Sequence, residues 1–326
     1  MSAPSLVGPR DRFALFWGGG LGDILVVRPL LLALCAHLER PPYFFTTANH
    51  LDGLFQSLDL PVDLHVLPTA PLDALRLFRR LKVRFDWIYL GPHPRLKTRL
   101  LAEVVGARRI WSVRHLDAER FIGEQVLADV RDLGLAGTAA GTLPYGGEWG
   151  AAAARAGDGA YLVLHPGAKG RWQTKQWPEE KWRALMGYLL ETSSLRLILV
   201  GTPGEQPMLE GLSAGIPEGL RTRVSVRCDY ALADLAVCLR GSRGVICHNS
   251  GVMHLAAMLG KPTLALTGSA PLHWRPPYAN VQNLDSGLCS LACDQYRCPV
   301  PFYQARCIRG LELDAVALAA RRLLLD

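Results

Sequence analysis

The apolar positions of this chain fall in short runs of strand length, separated by polar turns and by longer stretches with helical spacing. In the first half, Arg12 to Trp17, Tyr43 to Thr47, Val62 to Leu67 and Phe85 to Leu90 read as strands. The glycine turn Gly18-Gly19-Gly20-Leu21-Gly22-Asp23 leads into a helix that runs to about Glu39, and a second helix spans about Leu72 to Lys82. A second set of strands begins at Tyr161 to Leu164. It continues at Leu195 to Val200, Val224 to Val226, Val245 to Cys247 and Thr263 to Leu266. Among its helices, Pro178 to about Thr192 is the clearest. Pro178 suits a first helical position, and Glu179-Glu180 suits the positive end of the helix dipole. Leu311 to Leu325 also has helical spacing and is able to pack on either set. Between the sets, Gly134 to Gly159 is rich in Gly and Ala and lacks a period, as a connection does. Strands alternating with helices predict an α/β protein of two doubly wound, Rossmann-like domains, 1–150 and 151–326, facing across a cleft.

One stretch carries more chemistry than the rest, Asn249 to Pro262, which lies between two of the predicted strands. It reads as a tight turn and a helix. Asn249 or Ser250 is able to cap the helix with a side-chain oxygen. Val252, Leu255, Ala256 and Leu259 make a buried stripe, Gly260 closes the helix, and Pro262 stops it from restarting. A Ser-Gly turn that opens a helix at a strand end presents free N–H groups and a positive dipole end, an anion site. In parallel α/β sheets, ligands bind at that edge.

Three further loops share that edge. The turn with Gly18, Gly20 and Gly22 lets backbone approach a ligand or a neighbouring element closely, but its G-x-G-x-G spacing departs from the dinucleotide fingerprint. Asp23 within it is either a helix cap or a carboxylate that takes a proton from a substrate hydroxyl. The loop His165 to Pro178 holds Lys169, Arg171, Thr174 and Lys175; it suits a diphosphate, or is a solvated charged loop, with Trp177 as an anchor. Glu205, in Gly201-Thr202-Pro203-Gly204-Glu205, is either an acceptor for ribose hydroxyls or a helix N-terminal acid. His254 sits in the first turn of the Ser250 helix. It reads as a neutral imidazole facing a phosphate, or as a polar-face histidine. The sequence has no Asp-x-Asp, so a metal bridging a diphosphate is not indicated. Charge on a leaving group would fall to Lys175, Arg171 and helix N-termini.

With 49% hydrophobic and 20% charged residues over 326 positions, the chain is globular. No apolar stretch reads as a signal peptide or a membrane span, which predicts a cytoplasmic protein. The net charge of +7 favours anionic partners. Cations are scattered, without the aromatic interleaving of nucleic-acid binders, except in a cluster of Arg95, Lys97, Arg99, Arg108 and Arg109. Of that cluster, Arg95, Lys97 and Arg99 follow a strand and are placed to grip an anionic acceptor. Of eight cysteines, Cys35, Cys228, Cys238 and Cys247 lie singly in apolar runs and read as buried hydrophobes. Cys289, Cys293, Cys298 and Cys307 have the spacing C-x3-C-x4-C-x8-C. They read as thiolate ligands of a structural zinc or iron, or as reduced thiols.

Taken together, Gly20-Leu21-Gly22-Asp23 with Pro29, His165-Pro166-Gly167-Ala168, Lys175-x-Trp177-Pro178 and Ser250-Gly251-Val252-Met253-His254-Leu255-Ala256-Ala257 with Gly260-Lys261-Pro262 resemble the heptosyltransferase family, glycosyltransferase family 9. The likeness covers nearly the whole chain. It implies a GT-B architecture, an acceptor held by the first domain and a nucleotide-diphosphate sugar held by the second. The implied reaction is inverting and metal-independent, with ADP-heptose as donor in the best-known members. The acceptor is then an anionic, lipid-linked glycan of lipopolysaccharide-core type, so peripheral contact with the inner membrane is expected and nucleic acid is not. By position, Asp23 would be the general base, with Gly20 and Gly22 beside the acceptor. Lys175 would hold the diphosphate with Arg171 and Thr174, Glu205 would contact ribose, and Asn249, Ser250, Gly251 and His254 would line the phosphates. The family usually has Asp where Asn249 stands, and His248 ahead of it is a second departure. Alternatives of other kinds are a non-catalytic or altered-specificity nucleotide-sugar binder and a GT-B nucleotide-sugar epimerase.

Overall fold

A computed structural model describes residues 6–48, 55, 60–92, 96–112, 119–135, 160–167, 173–268, 270–288, 297–300, 302 and 304–325. The chain divides into two units, Met1–Leu143 and Pro144–Asp326. Most of the predicted connection, from 136 to 159, lies outside the described residues.

In the amino-terminal unit the elements run β1 (Phe13–Phe16), α1 (Leu21–His37), β2 (Tyr43–Thr46), β3 (Asp63–Val66), α2 (Pro71–Leu81), β4 (Phe85–Leu90), α3 (Leu96–Val105), β5 (Ala107–Ser112) and α4 (Ile122–Asp132). All strand pairs are parallel, in the order β3-β2-β1-β4-β5. Central β1 is buried at all four positions, whereas edge strand β3 has exposed residues at both ends. Continuous apolar runs are what strands covered on both faces require. One face is filled by aromatics: Phe16 stacks on Phe45 with ring centroids 4.9 Å apart, and Phe78 and Phe85 close around Phe45. Helix α1 is buried from Ile24 to Val27 and again at Pro29, Leu30 and Leu31. Its apolar composition all round fits a helix covered by its neighbours rather than a surface helix.

The carboxy-terminal unit runs β6 (Tyr161–His165), α5 (Glu179–Thr192), β7 (Arg196–Val200), α6 (Gln206–Ala214), α7 (Glu218–Arg221), β8 (Val224–Arg227), α8 (Leu232–Gly241), β9 (Gly244–His248), α9 (Gly251–Met258), β10 (Thr263–Leu266), β11 (Val281–Leu284), α10 (Arg306–Arg309) and α11 (Leu313–Ala320). Its parallel sheet has the order β11-β10-β9-β6-β7-β8. Pro178 caps α5 from just outside instead of occupying its first turn. The terminal helix packs on this unit: Val316, Ala317, Ala320 and Leu324 share a core with Trp182, Leu185 and Leu189. Gly244 is required there, since an added Cβ would lie 2.3 Å from a Leu324 methyl. Helix α9 ends as its sequence predicts. Gly260 is left-handed (φ 69°), and the N–H groups of Gly260 and Lys261 reach back to the carbonyls of Ala257 and Ala256.

Candidate active site

Strand order reverses between β6 and β9 in the carboxy-terminal unit, and between β1 and β4 in the amino-terminal unit. Connections leave in opposite directions on the two sides of such a point, which opens a crevice at the strand ends. The predicted motifs lie there.

At the carboxy-terminal switch point, β6 ends in His165 and β9 in His248. Ser250 caps α9 through its extended backbone (φ −150°, ψ 175°), without a side-chain cap bond. Its hydroxyl lies 3.4 Å from Nδ1 of His165, across the crevice. The cap is therefore Ser250 rather than Asn249, whose amide Nδ2 donates instead to the Trp274 carbonyl at 2.9 Å. Helix α9 is buried from Val252 to Ala257, not merely on one stripe, while Leu259 is half-buried. That burial removes the polar-face reading of His254, which is 3% exposed. Burial first, and the cation of Lys175 second, hold its pKa down to about 3, so it is a neutral imidazole. His165 is also pushed towards the neutral form by burial, with Glu205 opposing the shift.

Lys175 closes a 3-10 turn, Gln173–Lys175, that also carries buried Thr174. Gly268, at φ 51°, brings its Cα close to the Thr174 carbonyl; a Cβ there would lie 3.2 Å from that oxygen. Trp177 is an anchor as expected: it is 2% exposed and its indole donates to the Leu311 carbonyl at 2.9 Å. Arg171 lies outside the described residues. Glu205 ends the 3-10 turn Pro203–Glu205, where Oε2 accepts from the Thr202 N–H (2.7 Å) and hydroxyl (2.8 Å). The same carboxylate rests against Gly167, whose missing Cβ would lie 2.2 Å from Oε1. The glycine of His165-Pro166-Gly167 thus makes room for Glu205.

His248 and Trp274 carry contacts that the sequence pattern leaves unassigned. His248 is fully buried; its Nε2 accepts the Trp177 N–H at 3.0 Å and its Nδ1 faces the Gly167 carbonyl at 3.4 Å. Its pKa is lowered to about 3, by burial and then by His165. The ring of Trp274 meets His254 edge-on, with centroids 6.1 Å apart. A polar residue ending an otherwise apolar strand run is the signal that marks His248; nothing comparable marks Trp274.

In the amino-terminal unit, Gly20 caps α1, and Asp23 Oδ2 accepts the Gly20 N–H at 2.7 Å. Asp23 is therefore a third-position residue bonding back to the cap, not the cap itself. The bare turn is needed, because a Cβ on Gly18 would lie 2.8 Å from the Asp23 Cγ. Gly22 lies in the first turn of the helix. Arg95 and the side chain of Lys97 lie outside the described residues, and Arg99 is exposed on α3. Arg108 and Arg109 are exposed on edge strand β5, where Arg109 covers the Trp87 ring at 5.0 Å. Of the four-cysteine segment, Cys289 and Cys293 lie outside the described residues. Cys298 donates to the Val300 carbonyl at 3.2 Å, and Cys307 is buried. Among the described residues, no three His, Cys, Asp or Glu side chains are grouped to hold a metal, and no helix is long and apolar enough to cross a membrane.

Two doubly wound parallel units, each with its motifs at the switch point, are the fold of GT-B glycosyltransferases. Solved structures agree: a family 9 glycosyltransferase from Veillonella parvula (TM-score 0.68, 19% identity, 97% of each chain) and E. coli ADP-heptose lipopolysaccharide heptosyltransferase II (0.66, 16%, 96% of this chain and 98% of that one). E. coli heptosyltransferase WaaC with ADP-2-deoxy-2-fluoro heptose is also similar (0.60, 20%, 95% and 99%). Residues 146–303, most of the carboxy-terminal unit, match glycosyltransferase family 9 (heptosyltransferase). Lipopolysaccharide heptosyltransferase 1 of Pseudomonas aeruginosa is 35% identical over 108 residues, 33% of this chain and 28% of that protein. Lipooligosaccharide heptosyltransferase 2 of Haemophilus influenzae is 27% identical over 107 residues, 32% of this chain and 31% of that protein. These matches thus span less than a third of either relative's length.

Proposed function

We propose that the chain is an inverting, metal-independent heptosyltransferase that moves heptose from ADP-heptose to an anionic glycan acceptor of lipopolysaccharide-core type. The observation that carries this is the convergence of Ser250, His165, Glu205, Lys175 and His254 at one strand edge of the carboxy-terminal unit, within the residues that match glycosyltransferase family 9. In this reading the N-terminus of α9 and Lys175 neutralise the diphosphate as it departs, with Arg171 and Thr174 in the same loop. Glu205, already an acceptor of two hydrogen bonds from Thr202, receives ribose hydroxyls. A neutral His254 is able to donate one N–H to a phosphate oxygen without adding charge. Asp23 takes the proton from the acceptor hydroxyl, whose oxygen attacks the anomeric carbon from the face opposite the nucleotide.

The acceptor's lipid anchor suggests a membrane-facing surface. On the outer side of α2 and α3, Leu72, Leu100 and Val104 are 70%, 56% and 67% exposed. Arg76, Arg79, Arg80 and Arg99 are exposed on the same two helices. Residues 71–105 hold eight Lys or Arg against three Asp or Glu, a net +5 of the chain's +7. Apolar residues ringed by cations suit the face of an anionic bilayer. The test of the function is transfer from ADP-heptose to a purified lipid-linked acceptor in excess EDTA, with the anomer read by NMR. Chelator-resistant transfer with inversion is expected; retention, or loss of transfer with chelator, would overturn the mechanism.

A further inference from the structure

We propose that His248 and Asn249, at the end of β9, are a pair of positioning residues that hold the two walls of the donor site in place. The proposal rests on the donor reading of this edge given above.

Strand β9 lies between β6 and β10, so its end is within reach of both neighbouring loops. His248 reaches towards β6. Its Nε2 accepts the N–H of Trp177, two residues beyond Lys175, and its Nδ1 faces the carbonyl of Gly167, the residue that packs on Glu205. The Trp182 ring meets the imidazole edge-on at 5.4 Å. One ring thus ties together the segment carrying Lys175 and the loop that seats Glu205. The arrangement requires a neutral imidazole with its proton on Nδ1, because a protonated Nε2 would face the Trp177 N–H donor to donor. Complete burial keeps the ring in that form.

Asn249 reaches the other way. It is 6% exposed, and its Nδ2 donates to the carbonyl of Trp274, which closes the 3-10 turn Leu272–Trp274 after β10. Trp274 in turn lies against His254. A carboxylate has no proton to donate to that carbonyl, so the amide is matched to its partner, and Asp at this position would turn a bond into a repulsion. Asn249 therefore acts through Trp274 rather than as a ligand of the phosphates.

The test compares wild type with His248→Gln, His248→Phe and Asn249→Asp in the full chain. ADP affinity is measured by calorimetry, KM and kcat by transfer, and Trp177 amide exchange by NMR without nucleotide. Gln can present an oxygen near the place of Nε2, whereas Phe leaves the Trp177 N–H without an acceptor. Expected is about tenfold weaker ADP binding in His248→Phe and in Asn249→Asp, the equivalent of one lost hydrogen bond. The loss should fall on KM rather than kcat, with His248→Gln close to wild type and faster Trp177 exchange in His248→Phe. Unchanged ADP affinity in both variants would overturn the proposal, and so would faster exchange without weaker binding. Should wild type bind no ADP while exchange still accelerates, the donor reading is what fails, and the positioning role falls with it.

Discussion

Replacing Gly167 by Ala is a small change with a defined target. An alanine Cβ would lie 2.2 Å from Oε1 and 2.6 Å from Cδ of Glu205, far inside van der Waals contact. The backbone of Gly167 is not in the left-handed region, so the methyl adds no strain of its own beyond this collision. Glu205 must swing away and surrender its bonds to the Thr202 N–H and hydroxyl. Because that carboxylate is half-exposed, water replaces much of what is lost, and the cost to stability is about 1 kcal/mol. For a unit the size of the carboxy-terminal one that corresponds to a fall in Tm of about 2–4 °C. The cost to binding should be larger, since a charge-assisted bond to ribose contributes about 1.5–3 kcal/mol, or roughly tenfold to a hundredfold in Kd. Calorimetry with ADP on Gly167→Ala, Glu205→Ala and the double variant gives a complete cycle. If Gly167 acts through Glu205, the double variant binds no worse than Glu205→Ala. Wild-type affinity in Gly167→Ala, or additive losses, would refute the reasoning.

Other consequences follow from the same geometry. His248 and His254 have folded pKa values of about 3, below the ordinary 6.5, so the unfolded chain binds protons that the folded chain refuses. Their stabilisation is complete above pH 6.5 and is lost progressively as pH falls towards 3. Urea midpoints that stay level from pH 7 to pH 5 would contradict this. Asp23→Asn keeps an oxygen for the Gly20 N–H, so Tm should hold while turnover falls by about 10²–10⁴. Near-normal turnover would exclude Asp23 as the base. Changing Leu72, Leu100 and Val104 to Glu should abolish co-sedimentation with anionic vesicles and leave ADP binding intact. Equal sedimentation of the variant, or binding that added salt does not weaken, would remove the bilayer surface.

The course of the fold was legible where strands are covered on both faces. The central strands read as largely apolar runs, and the predicted bounds fall within a residue or two of β1, β4, β6, β9 and β10. Two edge strands were not legible. Strand β5, Ala-Arg-Arg-Ile-Trp-Ser, carries exposed Arg108 and Arg109, and β11, Val-Gln-Asn-Leu, is half polar. Neither strand is buried along its length, so neither carries the apolar run that double burial writes into sequence. The same contrast holds for the site. Strand-end loops announced themselves by their turn and capping residues, so Asp23, Lys175, Glu205 and Ser250 were all marked. The contacts joining those loops were not, because His248 meets Gly167 across 81 positions and Asn249 meets Trp274 across 25. His254 shows the limit of local pattern: its helix looks one-sided in sequence, yet the structure buries every position from Val252 to Ala257.

The central claim is that the edge formed by β6, β9 and the turn of Lys175 holds a nucleotide-diphosphate sugar. Its most direct test is calorimetric titration of ADP-heptose into the full chain, wild type against Lys175→Ala, with Tm recorded for both. Expected is saturable one-to-one binding to wild type and affinity weakened about tenfold or more in the variant, with a cooperative thermal transition retained in both. No binding to wild type, or equal binding to both proteins, would contradict it.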